Sequence, residues 1–285
     1  MDSKLMSLSE AVDAYVQNGD IVGIGGLSFW RKPVSLCREI IRQGKKNLTL
    51  CTFVGGIEID MLVGAGCVSE IKASFVGMEV FGMAPNYRKA IESGKIKVSE
   101  ETEATIALGL KASYLKSPFM PLKGIIGTDF PKIRKDIKQF EDPLGSGTQL
   151  MAVPKIDLDV AILHVPYADE NGNGNIAGAV WLDDDLAKTA KKTIITCERI
   201  VELEDIIHLK GKAQLPMQTT SAVVKVPFGA HPTSCYDKYT FDPKHIQKYL
   251  KMNFDDYKKE YIDLKTQSEY LEAVGGAQTI LNILL

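Results

Sequence analysis

Gly25 and Gly26 end a short apolar run and are followed closely by Ser28, Arg31, Lys32 and a proline, in GDIVGIGGLSFWRKP (residues 19–33). Glycines at a strand end let a ligand approach the backbone, because no Cβ stands in the way. The free amides of a following helix start favour anions. Arg31 and Lys32 sit where that anion would lie, and cations in a first helical turn oppose the helix dipole unless an anion such as a substrate carboxylate offsets them. Two carboxylates complete the set. Glu79 lies between apolar residues in FVGMEVFG (75–82), either as a loop residue or as a pocket group. Glu103 opens a helix in SEETEAT (99–105), where Glu100, Glu101 and Glu103 all suit a helix N-terminus. Phe29 and Trp30 fit a core or a subunit interface.

Other reactive residue types carry less. His164 ends a buried strand and His231 sits in GAHPTSCY, both places for structural histidines. His208 and His245 lie in polar segments, no spacing of His, Asp and Glu suggests a metal site, and neither Ser28 nor Cys235 has a base nearby in sequence.

The elements that position these residues alternate. Ser7 and Glu10 have capping-box spacing, with Leu8, Ala11, Val12, Tyr15 and Val16 forming one helical stripe that Gly19 ends. Buried strands are expected over 21–24, 48–54, 71–76, 151–153, 158–164, 193–197 and 221–226, and helices over 33–42, 86–93, 102–115 and 183–191. Continuous apolar strands between amphipathic helices predict an α/β fold: an open, mostly parallel sheet with helices on both faces. From about residue 242 to 285 the chain turns polar and helical, as an extension lying on the domain or on a partner. One domain, 1–285, is expected.

The whole chain narrows the function class. Its 285 residues and net charge of −2 give no reason to expect nucleic acid or an acidic membrane as partner. No apolar run reaches membrane-spanning length. Cys37, Cys51, Cys67, Cys197 and Cys235 are odd in number and form no CxxC pair, which fits buried free thiols in a reducing, cytoplasmic setting.

Residues 19–33 resemble the N-terminal signature of the family I coenzyme A transferases. Gly25, Gly26 and Pro33 match it, while Leu27 replaces a phenylalanine and Arg31 a glycine. RKAIESGK (88–95), PFMPL (118–122), GTD (127–129), AVP (152–154), LDVAILHVPYADENGN (158–173), DLAKTAKKTIITCE (185–198) and PFGAHPTSCY (227–236) follow in the family's order, and Arg-Lys-Pro resembles its glutaconate branch. The resemblance implies an α subunit sharing one active site with a β subunit, as an A2B2 heterotetramer. The nucleophilic glutamate lies in a Ser-Glu-Asn-Gly motif of the β chain, and the enzyme moves CoA between an acyl-CoA and a glutaconate- or 3-oxoacid-like carboxylic acid. Attack gives a mixed anhydride, which CoA converts to a glutamyl-CoA thioester that the second carboxylate intercepts. CoA is then a substrate, and no covalently bound cofactor is implied. Gly25, Gly26, Ser28, Arg31, Lys32 and Glu79 become substrate-binding candidates, the glycine amides stabilising charge on a thioester oxygen.

This chain has no Ser-Glu-Asn-Gly. Its Glu170-Asn171-Gly172 follows Asp169 in a strand-to-turn block and fits a turn. A second branch of the superfamily, also resembled, consists of hydrolases that cleave a ring carbon–carbon bond in a steroid-derived CoA ester. It would make Glu103 a catalytic base. A ligand sensor on the related sugar-phosphate isomerase-like fold is the reading from another class.

Overall fold

The computed structural model describes residues 3–209 and 214–283. The chain begins with α1 (Leu8–Tyr15), closed by the expected capping box: Ser7 Oγ accepts from Glu10 N at 3.2 Å while Glu10 Oε2 accepts from Ser7 N at 2.9 Å. Strands and helices then alternate as β1 (Ile21–Ile24), α2 (Val34–Arg42), β2 (Leu48–Gly55), α3 (Ile57–Gly64), β3 (Val68–Val76), α4 (Pro85–Glu92) and β4 (Lys97–Glu100). After α5 (Glu103–Tyr114) come β5 (Phe119–Leu122), α6 (Phe130–Ile133), β6 (Lys138–Glu141) and β7 (Gln149–Pro154). The chain continues through β8 (Leu158–Ala168), β9 (Gly174–Asn175), α7 (Asp183–Thr189), β10 (Ala190–Ile200), α8 (Leu203–His208) and β11 (Ala222–Lys225). Four short helices follow, α9 (Pro243–Lys251), α10 (Phe254–Tyr257), α11 (Gln267–Ala273) and α12 (Ala277–Leu281).

Among the described residues the main sheet runs β11-β10-β8-β1-β2-β3-β4, and every neighbouring pair along it is parallel. β9 adds an antiparallel pair to β8. Alternation along the strands sends side chains to both faces. Leu48, Leu50, Val160, Ile162 and Ile194 pack with α1, α2 and α3, whereas Cys51, Ala161, Leu163 and Ile195 pack with Ile106 and Leu110 of α5 and Leu186 and Ala187 of α7. Each fully buried large aliphatic among them contributes about 1.5–3 kcal/mol relative to exposure. This is the open sheet covered on both sides that the apolar strands imply.

Two features lie outside the sequence expectation. Residues 57–64 (IEIDMLVG) form α3 and are buried nearly all round, so they carry no amphipathic stripe. A separate antiparallel sheet, β5-β7-β6, follows α5, and only its β7 was foreseen. The C-terminal extension packs on this chain: Tyr249, Tyr257, Tyr261 and Tyr270 join the core formed by α1, α2 and α3.

Candidate functional site

The chain leaves β1 towards β2 on one side and returns as β8 on the other, so the strand order reverses at β1. In open α/β sheets ligands bind beyond the carboxyl ends of the strands at such a point. Gly25 and Gly26 stand there. A Cβ on Gly25 would come within 2.4 Å of Leu163 Cδ2, and one on Gly26, whose φ is +72°, within 2.3 Å of the Trp30 carbonyl. The backbone packing therefore requires glycine at 26, whereas a side chain at 25 would displace Leu163 and Asp183. Their amides are also engaged, Gly25 N with the Ile162 carbonyl at 3.1 Å and Gly26 N with Asp183 Oδ1 at 2.7 Å. The expectation that these amides face a thioester oxygen is corrected accordingly.

Arg31 and Lys32 need a second correction. Arg31, 2% exposed, pairs with Asp183 Oδ2, donates to the Ala179 carbonyl at 2.6 Å and lies 5.4 Å from the Trp181 ring centroid. Lys32 is fully buried, its Nζ 3.1 Å from Glu58 Oε1 and within hydrogen-bond reach of Thr52 Oγ1 and the Gly26 carbonyl. A buried cation must be matched internally, and these two are, so neither stands open to a substrate anion. Helix α2 starts beyond them, with Pro33 as its N-cap, so they are not in its first turn.

What residues 27–30 do form is one wall of a cavity of about 590 Å³, and Ser28, Glu79 and Glu103 all line it. Phe53 and Val54 of β2 contribute another wall, with Val80, Trp181 and Phe241 around the rest. Ser28 is 4% exposed, and its hydroxyl has no hydrogen-bond partner. Its φ is +50°, that of Glu79 +47° and that of Trp181 +48°. Positive φ is strained for these residue types, and such strain gathers where function requires it.

Glu103 opens α5 and is exposed to the cavity, next to a cap in which Thr102 and Thr105 exchange hydrogen bonds of 3.1 and 2.8 Å. Its neighbour Glu101 is buried, ion-paired to Arg134 at 2.5 Å and hydrogen-bonded by Thr105 Oγ1 at 2.7 Å. Burial pushes the Glu101 carboxyl up from its ordinary value.

Trp181, Phe241, Phe53, Asp183 and Glu58 were not anticipated as parts of this region. For Asp183 a signal existed in the acidic run 183–185 at a helix start; the others join from distant elements without a local mark. Glu170 stands apart, on a turn where Asp169 Oδ1 accepts the amides of Asn171, Gly172 and Asn173 at 3.0, 2.8 and 2.8 Å. His164, Glu198 and Cys235 have ligand-type atoms within 4.8 Å of one another, a grouping sequence spacing did not reveal. Glu198 is already occupied: Tyr239 Oη donates to it at 2.6 Å and Phe228 N at 2.6 Å, with His164 Nε2 at 2.8 Å. This arrangement ties β8 and β10 to the segment that carries Phe228 and Tyr239.

A model of the coenzyme A transferase family matches residues 5–225. The chain belongs to the coenzyme A transferase family. It is 34% identical over 300 residues to the A-type subunit of glutaconate CoA-transferase from Acidaminococcus fermentans, covering 98% of this chain and 94% of that one. The crystal structure of that glutaconate coenzyme A-transferase superposes with a TM-score of 0.91 at 32% identity, over 99% of this chain and 95% of the other. A cholesterol ring-cleaving hydrolase IpdA subunit of Rhodococcus jostii is 31% identical over 255 residues, 86% of each chain. An uncharacterized protein of Archaeoglobus fulgidus is 35% identical over 288 residues, and the chain spans 98% of itself but 64% of that protein's length. Among the described residues no helix is long and apolar enough to cross a membrane.

Proposed function

We propose that this transferase-family chain is the α subunit of a heteromeric enzyme that moves CoA between an acyl-CoA and a carboxylic acid. The reactive glutamate comes from a separate β subunit, the assembly is A2B2, and the setting is the cytoplasm. The observation that carries the reading is the cavity at the β1 switch point, lined by the unsatisfied Ser28 hydroxyl, Glu79 and Glu103. Exposed Trp30 and Val80 at its rim support a partner closing it, since exposed apolar surface around a site marks a contact. In the reaction the β-chain carboxylate attacks the thioester, and Ser28 Oγ donates a hydrogen bond to the oxygen on which charge develops. Gly25 and Gly26 act indirectly by allowing the Leu27–Trp30 loop to close, and Arg31 and Lys32 hold that loop through Asp183 and Glu58.

The test mixes the assembled α and β chains with an acyl-CoA and a carboxylate acceptor. CoA should appear on the acceptor, and a CoA thioester should be detected on the β chain by mass. An assembled complex that exchanges CoA with no carboxylate tried would refute the reading.

Glu103 in the cavity supports a second reading, a ring-cleaving CoA-ester hydrolase in which it is the base. That reading requires Glu103→Gln to abolish turnover with assembly intact, and it requires no covalent CoA on either chain.

A further inference from the structure

We propose that this chain carries a second ligand site, separate from the cavity at β1, which takes a small free phosphate compound. A cavity of about 520 Å³ lies between the start of α1, α2, the end of β11 and the start of α11, and it shares no lining residue with the first. Arg38, Arg42, Lys225 and Lys265 line it, against a single acid, Glu39. Glu39 is already engaged, accepting from Arg42 Nε at 2.8 Å and from Gln43 Nε2 at 2.7 Å. Among the described residues Arg38, Lys225 and Lys265 form no ion pair.

Arg38 decides the sign of the ligand. It is 3% exposed, its Nη2 donates to Gln267 Oε1 at 2.9 Å, and its Nη1 has no hydrogen-bond partner. A buried guanidinium keeps its proton, so it requires a counter-charge. The chain supplies one to its other buried cations, Asp183 to Arg31 and Glu58 to Lys32. Arg38 meets only a neutral amide and the Tyr270 ring. An anion in the cavity provides the missing charge and acceptor. The guanidinium and two lysines together exceed the single charge of a carboxylate and suit a phosphate, whose oxygens match the guanidinium fork. Leu8, Val224 and Val226 add apolar wall, so the remaining volume can hold an organic body.

The test is a calorimetric titration of the assembled αβ enzyme with inorganic phosphate at fixed ionic strength, with acetate as the carboxylate control. One phosphate should bind per α chain, tighter than acetate by roughly tenfold or more, because phosphate brings the larger charge to the same cations. Lys265→Glu alters an exposed side chain on the cavity wall, so folding should hold while phosphate affinity falls roughly tenfold or more. Arg38→Met, with assembly checked by sedimentation, should abolish the binding; if that variant does not assemble, Lys265→Glu decides. Free CoA in excess should leave the phosphate affinity unchanged, which separates a free phosphate compound from the phosphates of CoA itself. The proposal is overturned by no phosphate binding, by an affinity equal to that of acetate, by an affinity untouched in Lys265→Glu, or by displacement with CoA.

Discussion

Ser28 keeps a hydroxyl that no protein group satisfies, in a conformation that strains its backbone. A buried unsatisfied donor costs about 1–3 kcal/mol, so deleting it should not weaken the fold. Ser28→Ala is therefore expected to leave the urea midpoint unchanged or raised, while kcat/KM falls roughly tenfold or more through the lost hydrogen bond to the reacting oxygen. Loss of stability with activity intact would place the hydroxyl in the scaffold instead. Lys32 makes the opposite case. Lys32→Met leaves the buried Glu58 carboxyl beside the Gly56 amide without its cation, and should cost about 3–5 kcal/mol. Adding Glu58→Gln should restore a large part of that loss in the same urea titration; a double variant no better than the single one argues against the pair.

The C-terminal helices are fastened to α2 by a buried histidine–tyrosine group. His231 Nδ1 meets Tyr270 Oη at 2.7 Å, His231 Nε2 meets Asp242 Oδ2 at 3.2 Å, and His245 Nε2 meets Tyr257 Oη at 2.8 Å. Arg38 of α2 lies over the Tyr270 ring, its Cζ 3.4 Å from the centroid. Burial lowers the His231 pKa and holds that of His245 down to about 3 from an ordinary 6.5. Below pH 6.5 the unfolded chain takes up protons that the folded chain refuses, so stability falls as pH drops through that window. At pH 5 the His245 contribution alone is about 2 kcal/mol. Urea midpoints should drop between pH 7 and pH 5, and less steeply in His245→Gln; a midpoint that rises on acidification contradicts the assignment. The histidine in a polar segment thus had a role its sequence context concealed. Local patterns exposed α1, β1, α2 and β8, because capping residues and apolar runs act over a few neighbours. They missed α3, whose Glu58 and Asp60 look like surface acids until Lys32 and Tyr249 are found beside them. The same limit governs the site. Ser28, Glu79 and Glu103 could be named from their segments, but the ion pairs that immobilise Arg31 and Lys32 come from distant stretches of chain. Only the assembled sheet shows which charges are left for a ligand.

At the scale of the molecule, one face is unfinished. Trp30 and Val80, the latter 89% exposed, line the cavity and stay accessible. Val80→Lys alters a side chain with little packing to lose, so the melting temperature of this chain should hold. Affinity for the β subunit should fall roughly tenfold, as for a desolvated interface residue, and sedimentation of the mixture measures it. Unchanged assembly would put the contact elsewhere. The loop between β1 and α2 is held on both flanks, by Asp183 through Gly26 and Arg31 and by Glu58 through Lys32. That clasp bears on time as well as shape. A wall already fixed before the ligand arrives has little ordering left to undergo, so encounter on this side is a single event. In stopped-flow mixing the observed rate should rise linearly with acyl-CoA concentration; saturation would reveal a prior conformational step on this wall or in the β subunit facing it.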